Sequence, residues 1–244
     1  MVEVTNLEPV TMYTITGKLM HHIWKNAKNR FGEKGEAALK KGVQYVLEEQ
    51  KKTEGITEKG LFTYDKLFND EQIKCTFNEY EKIKKSAGLE PDTIFAVMAK
   101  LFANIAKVMV EEFGKEDGER VMMDSVGSFG EERGRDIARR AAAVGKPNTM
   151  ENYLSNYDMA RSNLFEYETL FHPMEIEQTF TKCAFAEQWK KDGMEEYGIL
   201  YCHMIDPSIA KGYNPNFEVI HDRYVLKEGV CHFRFQMKES EKDV

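Results

Sequence analysis

Cysteine and proline are scarce in this 244-residue chain, with 4 and 6 copies, and no two cysteines stand in a CxxC spacing. A disulfide scaffold is therefore excluded at this length, and reduced thiols in a cytoplasmic protein are the expectation. Three common catalytic signatures are also missing: the GxSxG elbow, the GxxxxGK[ST] phosphate loop and the GxGxxG fingerprint. Serine hydrolases, P-loop NTPases and Rossmann dehydrogenases lose their usual sequence support. Basic charge is in deficit, 34 Lys and Arg against 41 Asp and Glu, for a net charge of −7. That balance argues against nucleic acid and against an anionic membrane as partners. Met1 to Pro9 carries Glu3 and Glu8 with no Lys or Arg, so no secretory leader is expected there.

What is present suits a packed globular chain: 42% of residues are hydrophobic and 31% charged. About 70% of the unfolded surface can be buried at this size, which supports a core without a staple. The segment Thr93 to Val110 is apolar and long enough to suggest a membrane span, but it contains Lys100, Asn104 and Lys107. With Glu111 these fall on one helical stripe, opposite Ile94, Met98, Leu101, Ile105 and Val108, as in a core helix with one wet edge. The expected partner is a small-molecule substrate. A homo-oligomer stays open, because methionines around Val121 to Met123 suit either an interior or a subunit contact.

The periodicities predict an α+β chain, with an N-terminal helical layer followed by a small C-terminal antiparallel hairpin or sheet region with a helix. The expected division is a mainly helical region at 1–165 and an α+β region at 166–244, or one continuous domain. Leu39 to Glu49 and Phe77 to Ala87 read as helices, and Pro91 suits the first turn of the long apolar helix. A Phe-Gly pair followed by a second glycine recurs at Phe31-Gly32 with Gly35, Phe113-Gly114 with Gly118, and Phe129-Gly130 with Gly134. Each copy predicts a helix end with a glycine cap and a new helix beyond it. The third continues into Arg133, Arg135, Arg139 and Arg140, which read as a solvated ion-pair face among Glu131, Glu132 and Asp136. Further on, Cys231, Phe233, Phe235 and Met237 alternate with His232, Arg234, Gln236 and Lys238, the period of a strand with one buried face. Phe217 to Leu226 is the expected partner strand, with the turn at Lys227-Glu228-Gly229, and His232 reads as a surface residue. Ile176 to Cys183 reads as a third strand, followed by a helix from Glu187 to Glu196 that stops near Gly198. The charged tail from Lys238 to Val244 reads as frayed.

Chemistry-bearing residues crowd the C-terminal third, where His172, His203, His221, His232, Cys183, Cys202 and Cys231 all fall. Their centre is Tyr201-Cys202-His203-Met204-Ile205-Asp206-Pro207. On a helix, Cys202 and Asp206 share one face and His203 stands three residues from Asp206. A carboxylate so placed could orient an imidazole, or take a proton from water or a thiol. Cys231 suits a buried core position, whereas Cys183 lies where a strand joins a helix. Thiolate and imidazole together favour zinc, but no HxH, HExxH or CxxC spacing occurs, so no metal and no cofactor is expected.

Four segments carry a family resemblance: Cys183-Ala184-Phe185-Ala186; Gly198-Ile199-Leu200-Tyr201-Cys202 with Asp206; Gly212-Tyr213-Asn214-Pro215; and Glu228-Gly229-Val230-Cys231-His232-Phe233. Together they resemble the L-2-amino-thiazoline-4-carboxylic acid hydrolase family. The resemblance implies a hydrolase that opens a five-membered C–N–S ring and releases an N-carbamoyl cysteine type of product. It implies Asp206 as acid or base and Cys202 or Cys183 as nucleophile or polar wall, with His203 in the same catalytic group. Asn214, His221 and Cys231 would bind substrate. His221-Asp222 replaces a more usual Arg-Thr, and His232 stands where an Asp often follows the last Cys. The alternative expectation is a non-enzymatic small-ligand-binding or sensor module, because a hairpin domain with an apolar pocket also resembles vinyl-reductase-type sensor domains.

Overall fold

A computed structural model describes residues 9–160 and 162–238. The expectations for Glu3 and Glu8 and for the tail beyond Lys238 concern residues outside that set. The chain divides into two compact units. A helical unit comprises residues 11–125 and 187–200, and a sheet unit comprises residues 126–186 and 201–238 with residues 9–10.

The helical unit holds α1 (Met12–Phe31), α2 (Glu33–Thr53), α3 (Asp70–Ser86) and α4 (Ile94–Phe113). It also takes in the first part of α5 (Lys115–Ala143). The first two Phe-Gly copies are caps as expected. Gly32 (φ 60°) ends α1 and Gly114 (φ 83°) ends α4, each in a conformation that L side chains rarely adopt. The later glycine of each copy lets the next helix fold back closely: a Cβ on Gly35 would lie 2.2 Å from the Ala27 carbonyl oxygen, and one on Gly118 2.6 Å from that of Met109. Phe31 and Phe113, the aromatic members of the two turns, stack with centroids 3.7 Å apart.

Two details of α4 depart from the sequence reading. The helix is capped by the Thr93 side chain accepting from Ala96 N, so Pro91 precedes the cap instead of entering the first turn. Its expected wet edge is dry at Lys100, which is 5% exposed. The Lys100 ammonium reaches Asp92 (2.9 Å), Glu54 (3.4 Å) and Glu49 (3.6 Å). Lys84 reaches the other Glu54 oxygen (3.1 Å), and the Tyr80 hydroxyl donates to that oxygen at 2.8 Å. Burial alone would lower the Lys100 pKa, but the surrounding carboxylates hold it above the ordinary value. No helix among the described residues is long and apolar enough to cross a membrane.

The strand-to-helix join also differs from expectation. α7 (Ala184–Asp192) ends at Gly193 (φ 64°), and Gly198 lies inside α8 (Glu195–Tyr213). There Gly198 makes room for Trp189, whose indole would lie 2.3 Å from an added Cβ and whose Nε1 donates to the Ala99 carbonyl at 2.9 Å.

The sheet unit is built on β1 (Phe165–Phe171), β2 (Glu175–Cys183), β3 (Phe217–Arg223) and β4 (Cys231–Met237), antiparallel in the order β1-β2-β4-β3. The three expected strands are present, and β1 joins them as an edge strand. The turn between β3 and β4 is the one-turn helix α9 (Val225–Glu228), closed by Gly229 at φ 79°. Cys231, Phe233 and Phe235 are buried on one face, as their alternation predicts. Register places Ile176, Gln178 and Phe180 of β2, and Val219 and His221 of β3, on that same face.

The third Phe-Gly copy is not a cap, because α5 runs through it without interruption. Its glycines form a seam with α8. An added Cβ would lie 2.7 Å from Ser208 Cβ at Gly130 and 2.1 Å from the Ile209 carbonyl oxygen at Gly134. Gly212 returns the contact against the Glu131 carbonyl oxygen at 2.3 Å. The two backbones approach too closely for any side chain, which fixes α8, and with it Cys202 and Asp206, against α5.

Candidate active site

Helical spacing brings Cys202 and Asp206 onto one face of α8, and Pro207 follows at once inside the helix. Proline cannot donate to the carbonyl one turn back, so the helix is locally weakened next to the carboxyl group. Both side chains are only part-buried by surface, yet burial is the largest influence on each. Burial lifts Asp206 to about 6, against an opposing pull from Arg133. It raises the Cys202 thiol well above its usual range, and the nearby Cys183, Cys231 and Asp206 add to the shift. Cys231, accepting from Val225 N at 3.2 Å, is pushed up to about 12, again chiefly by burial. At neutral pH Cys202 and Cys231 are therefore uncharged thiols.

Beside the thiols lies His221 from the inner face of β3. Its ring sits 3.8 Å from that of Tyr224 and 4.0 Å from that of Phe233, centroid to centroid. Both ring nitrogens are buried without a hydrogen-bond partner. Burial holds its pKa down to about 4, against an opposing pull from the backbone of Cys202 and Arg223. A neutral imidazole results at neutral pH. His203 contacts the other side of this group, edge-on to Tyr224 at 4.9 Å.

Sequence reasoning missed the buried ion pair whose charge acts on Asp206. Arg133 was expected on a solvated face but is 3% exposed, and it donates through Nε and Nη2 to Asp158 at 2.9 and 2.6 Å. Arg135 and Arg139 make the expected surface pairs, with Glu131 and Asp136. Arg133 also lies over the rings of Phe129 and Tyr157, 5.5 Å from each centroid. The Arg133 charge acts on Asp206, Tyr157, Tyr201 and Tyr153. The Tyr153 hydroxyl is buried with no partner. A signal for Arg133 existed in the sequence: the glycines Gly130 and Gly134 flank it, marking that side of α5 for close packing.

Asn214 is hydrogen-bonded at both ends of its amide. Its Nδ2 donates to the Asn148 carbonyl at 2.8 Å and its Oδ1 accepts from Asn216 N at 2.9 Å, so both ends of the amide hold the loop before β3. On the opposite sheet face, His232 is less open than expected. Its Nδ1 lies 2.6 Å from Asp222 and its Nε2 2.7 Å from Glu177, which also contacts His172 at 3.3 Å. A bulge in β3 between His221 and Arg223 allows this, turning His221 inward and Asp222 toward His232. Among the described residues, no three His, Cys, Asp or Glu side chains are grouped so as to hold a metal ion.

A family model described as L-2-amino-thiazoline-4-carboxylic acid hydrolase matches residues 94–235. The chain belongs to that family. The stretch matched to the hydrolase family contains Arg133, Asp158, Cys183, Cys202, Asp206, His221 and Cys231, whereas α1, α2 and α3 precede it. No curated protein matches this chain. Two solved structures align over 96% of it and 98% of their own chains. One is an oxygen-binding H-NOX domain related to soluble guanylate cyclases, at 11% identity and a TM-score of 0.28. The other is described as "Modulating Heme Redox Potential Through Protein-Induced Porphyrin Distortion", at 10% identity and a TM-score of 0.23. Scores this low carry no argument about this hydrolase-family chain.

Proposed function

We propose that this chain hydrolyses a small sulfur- and nitrogen-containing ring of the 2-aminothiazoline-4-carboxylate type. The observation that carries the reading is Asp206, a half-buried carboxyl group one turn from Cys202 on α8, whose pKa of about 6 suits both taking and giving a proton near neutrality. Water attacks the amidine-like carbon between sulfur and nitrogen while the Asp206 carboxylate takes one of its protons. The carbon–sulfur bond then breaks, the sulfur leaves with the proton that Asp206 returns, and the second proton of the water passes to the ring nitrogen, which becomes a urea N–H as the carbonyl forms. The atoms balance as one ring plus one water, giving one N-carbamoyl amino thiol. His221, neutral and unpartnered, accepts from the exocyclic amino group. Cys202 is too weakly acidic to serve as a ready nucleophile, and with Cys183 and Cys231 it forms a soft wall suited to the ring sulfur.

The test is incubation of the purified chain with 2-aminothiazoline-4-carboxylate, with free thiol and remaining ring measured together. One thiol released per ring consumed is the expected result. Binding without consumption would instead make the chain a small-ligand-binding module, and neither binding nor consumption by folded protein would remove the substrate class.

A further inference from the structure

The outer face of the sheet carries an ionic cluster that spans three strands. His232 of β4 lies between Glu177 of β2 and Asp222 of β3, with Nε2 2.7 Å from the first carboxylate and Nδ1 2.6 Å from the second. Contact with His232 holds both carboxyl groups below their ordinary range, so both are ionised at neutral pH. Each nitrogen therefore faces an acceptor at hydrogen-bond distance, and only an imidazolium has an N–H for both. A neutral ring would turn one lone pair on a carboxylate, and that contact must open. The two carboxylates are not held alike. Glu177 belongs to the interior strand β2 and keeps a second partner in His172 at 3.3 Å. Asp222 is the extra residue of the bulge in the edge strand β3, because Arg223 takes the register position opposite His232. Its other cation, Arg234 Nε, is 3.7 Å away. Asp222 is therefore the contact that gives way.

The bulge lies between two rings of the candidate site. Asp222 and Arg223 link His221 to Tyr224, whose rings are 3.8 Å apart. The rest of the inner face is anchored, since Tyr153 of the short helix α6 (Met150–Tyr153) packs on Phe217 at the start of β3 (4.9 Å) and on Phe235 of β4 (5.7 Å). Slack gained at Asp222 is thus taken up at the bulge end of β3. We infer that His232 is a positioning residue, a pH-sensitive clasp that bridges Glu177 and Asp222 and so holds His221 against Tyr224. The charged and titratable groups facing it are these two carboxylates, with His172 behind Glu177 and with Arg223 and Arg234 behind Asp222. The clasp is closed while His232 is protonated. It opens as pH rises through the folded value, which contact with Glu177, and then with Asp222, raises above the ordinary imidazole range. The consequence for substrate, through His221 and the exocyclic amino group, rests on the hydrolytic reading above.

NMR of the full chain follows the ring-to-ring cross-peaks between His221 and Tyr224 from about pH 6 to about pH 9, a range in which His221 itself stays neutral. Their intensity should fall in step with the titration of His232. Asp222→Asn should show the weakened cross-peaks at every pH, together with a lower His232 midpoint. Cross-peaks that keep their intensity through the His232 midpoint of the wild-type chain would overturn the clasp, whatever the variant does. With 2-aminothiazoline-4-carboxylate as substrate, KM should rise about threefold to tenfold across the same midpoint, as for the loss of one hydrogen bond. A KM that stays flat in an active chain would overturn the positioning role. An inactive wild-type chain would instead remove the hydrolytic reading and leave the cross-peaks to decide the clasp.

Discussion

Two buried polar clusters, one in each unit, differ in a way that separates structural charge from chemical charge. Around Lys100 in the helical unit, Lys84, Glu54, Asp92 and the Tyr80 hydroxyl are all engaged with one another. Around Asp206 in the sheet unit, Arg133 and Asp158 form a closed pair. His221 and Tyr153 keep unpartnered polar atoms, and Asp206 stands at about 6. A closed network fixes the packing of its helices. An open one carries a standing energetic cost that a bound molecule can relieve.

The largest expected effect lies in the open cluster. Asp206→Asn should reduce ring opening by about a hundredfold to ten-thousandfold in a turnover assay. Its melting temperature should be retained, since a carboxyl strained by burial is replaced by a neutral amide. Wild-type turnover in that variant would remove Asp206 from the chemistry. The closed cluster should behave oppositely. Lys100→Ala removes the ammonium shared by Asp92 and Glu54 and leaves Lys84 on Glu54, costing about 3 kcal/mol in urea unfolding, with activity per folded molecule unchanged. A loss below about 1 kcal/mol would show that the network is solvated.

The two histidines on opposite sheet faces should titrate apart. His221 is held down to about 4 by burial, so it binds protons more weakly folded than unfolded. Its contribution to stability is therefore lost as pH falls from the ordinary imidazole range toward 4. His232 is raised, first by its contact with Glu177 and then by Asp222, with Arg234 and His172 adjoining those carboxylates. Its contribution is complete below the ordinary range and is lost as pH rises through the folded value. Imidazole proton shifts followed by NMR check both, and coincident midpoints would contradict the two environments. Smaller still, Cys202→Ala should lower turnover by less than about tenfold because the thiol is protonated and acts as wall. A loss comparable to that of Asp206→Asn would restore it as nucleophile.

Much of this arrangement was legible where periodicity alone decides it. The alternation from Cys231 to Met237 gives β4 and its buried face, and the spacing of four places Cys202 with Asp206. The strand β1 was not legible, because an edge strand with exposed Glu166, Tyr167 and Glu168 need not alternate. Arg133 and Lys100 were read as solvent-facing because their identity and stripe suggest it; their partners, Asp158 and Glu54, lie 25 and 46 residues away and only tertiary packing brings them in. The third Phe-Gly copy failed for a related reason. A glycine that admits a neighbouring helix has the same letter as one that ends a helix, and only the φ angle or the contact tells them apart.

The central claim is that Asp206 is a half-buried carboxyl group poised for proton transfer. Carbon NMR of the labelled side-chain carboxyl, assigned by its disappearance in Asp206→Asn, reads that state directly across a pH titration. A midpoint near 6 that shifts when an N-carbamoyl amino acid is added is the predicted result. A midpoint at the ordinary carboxylate value near 4, unmoved by the ligand, would contradict it.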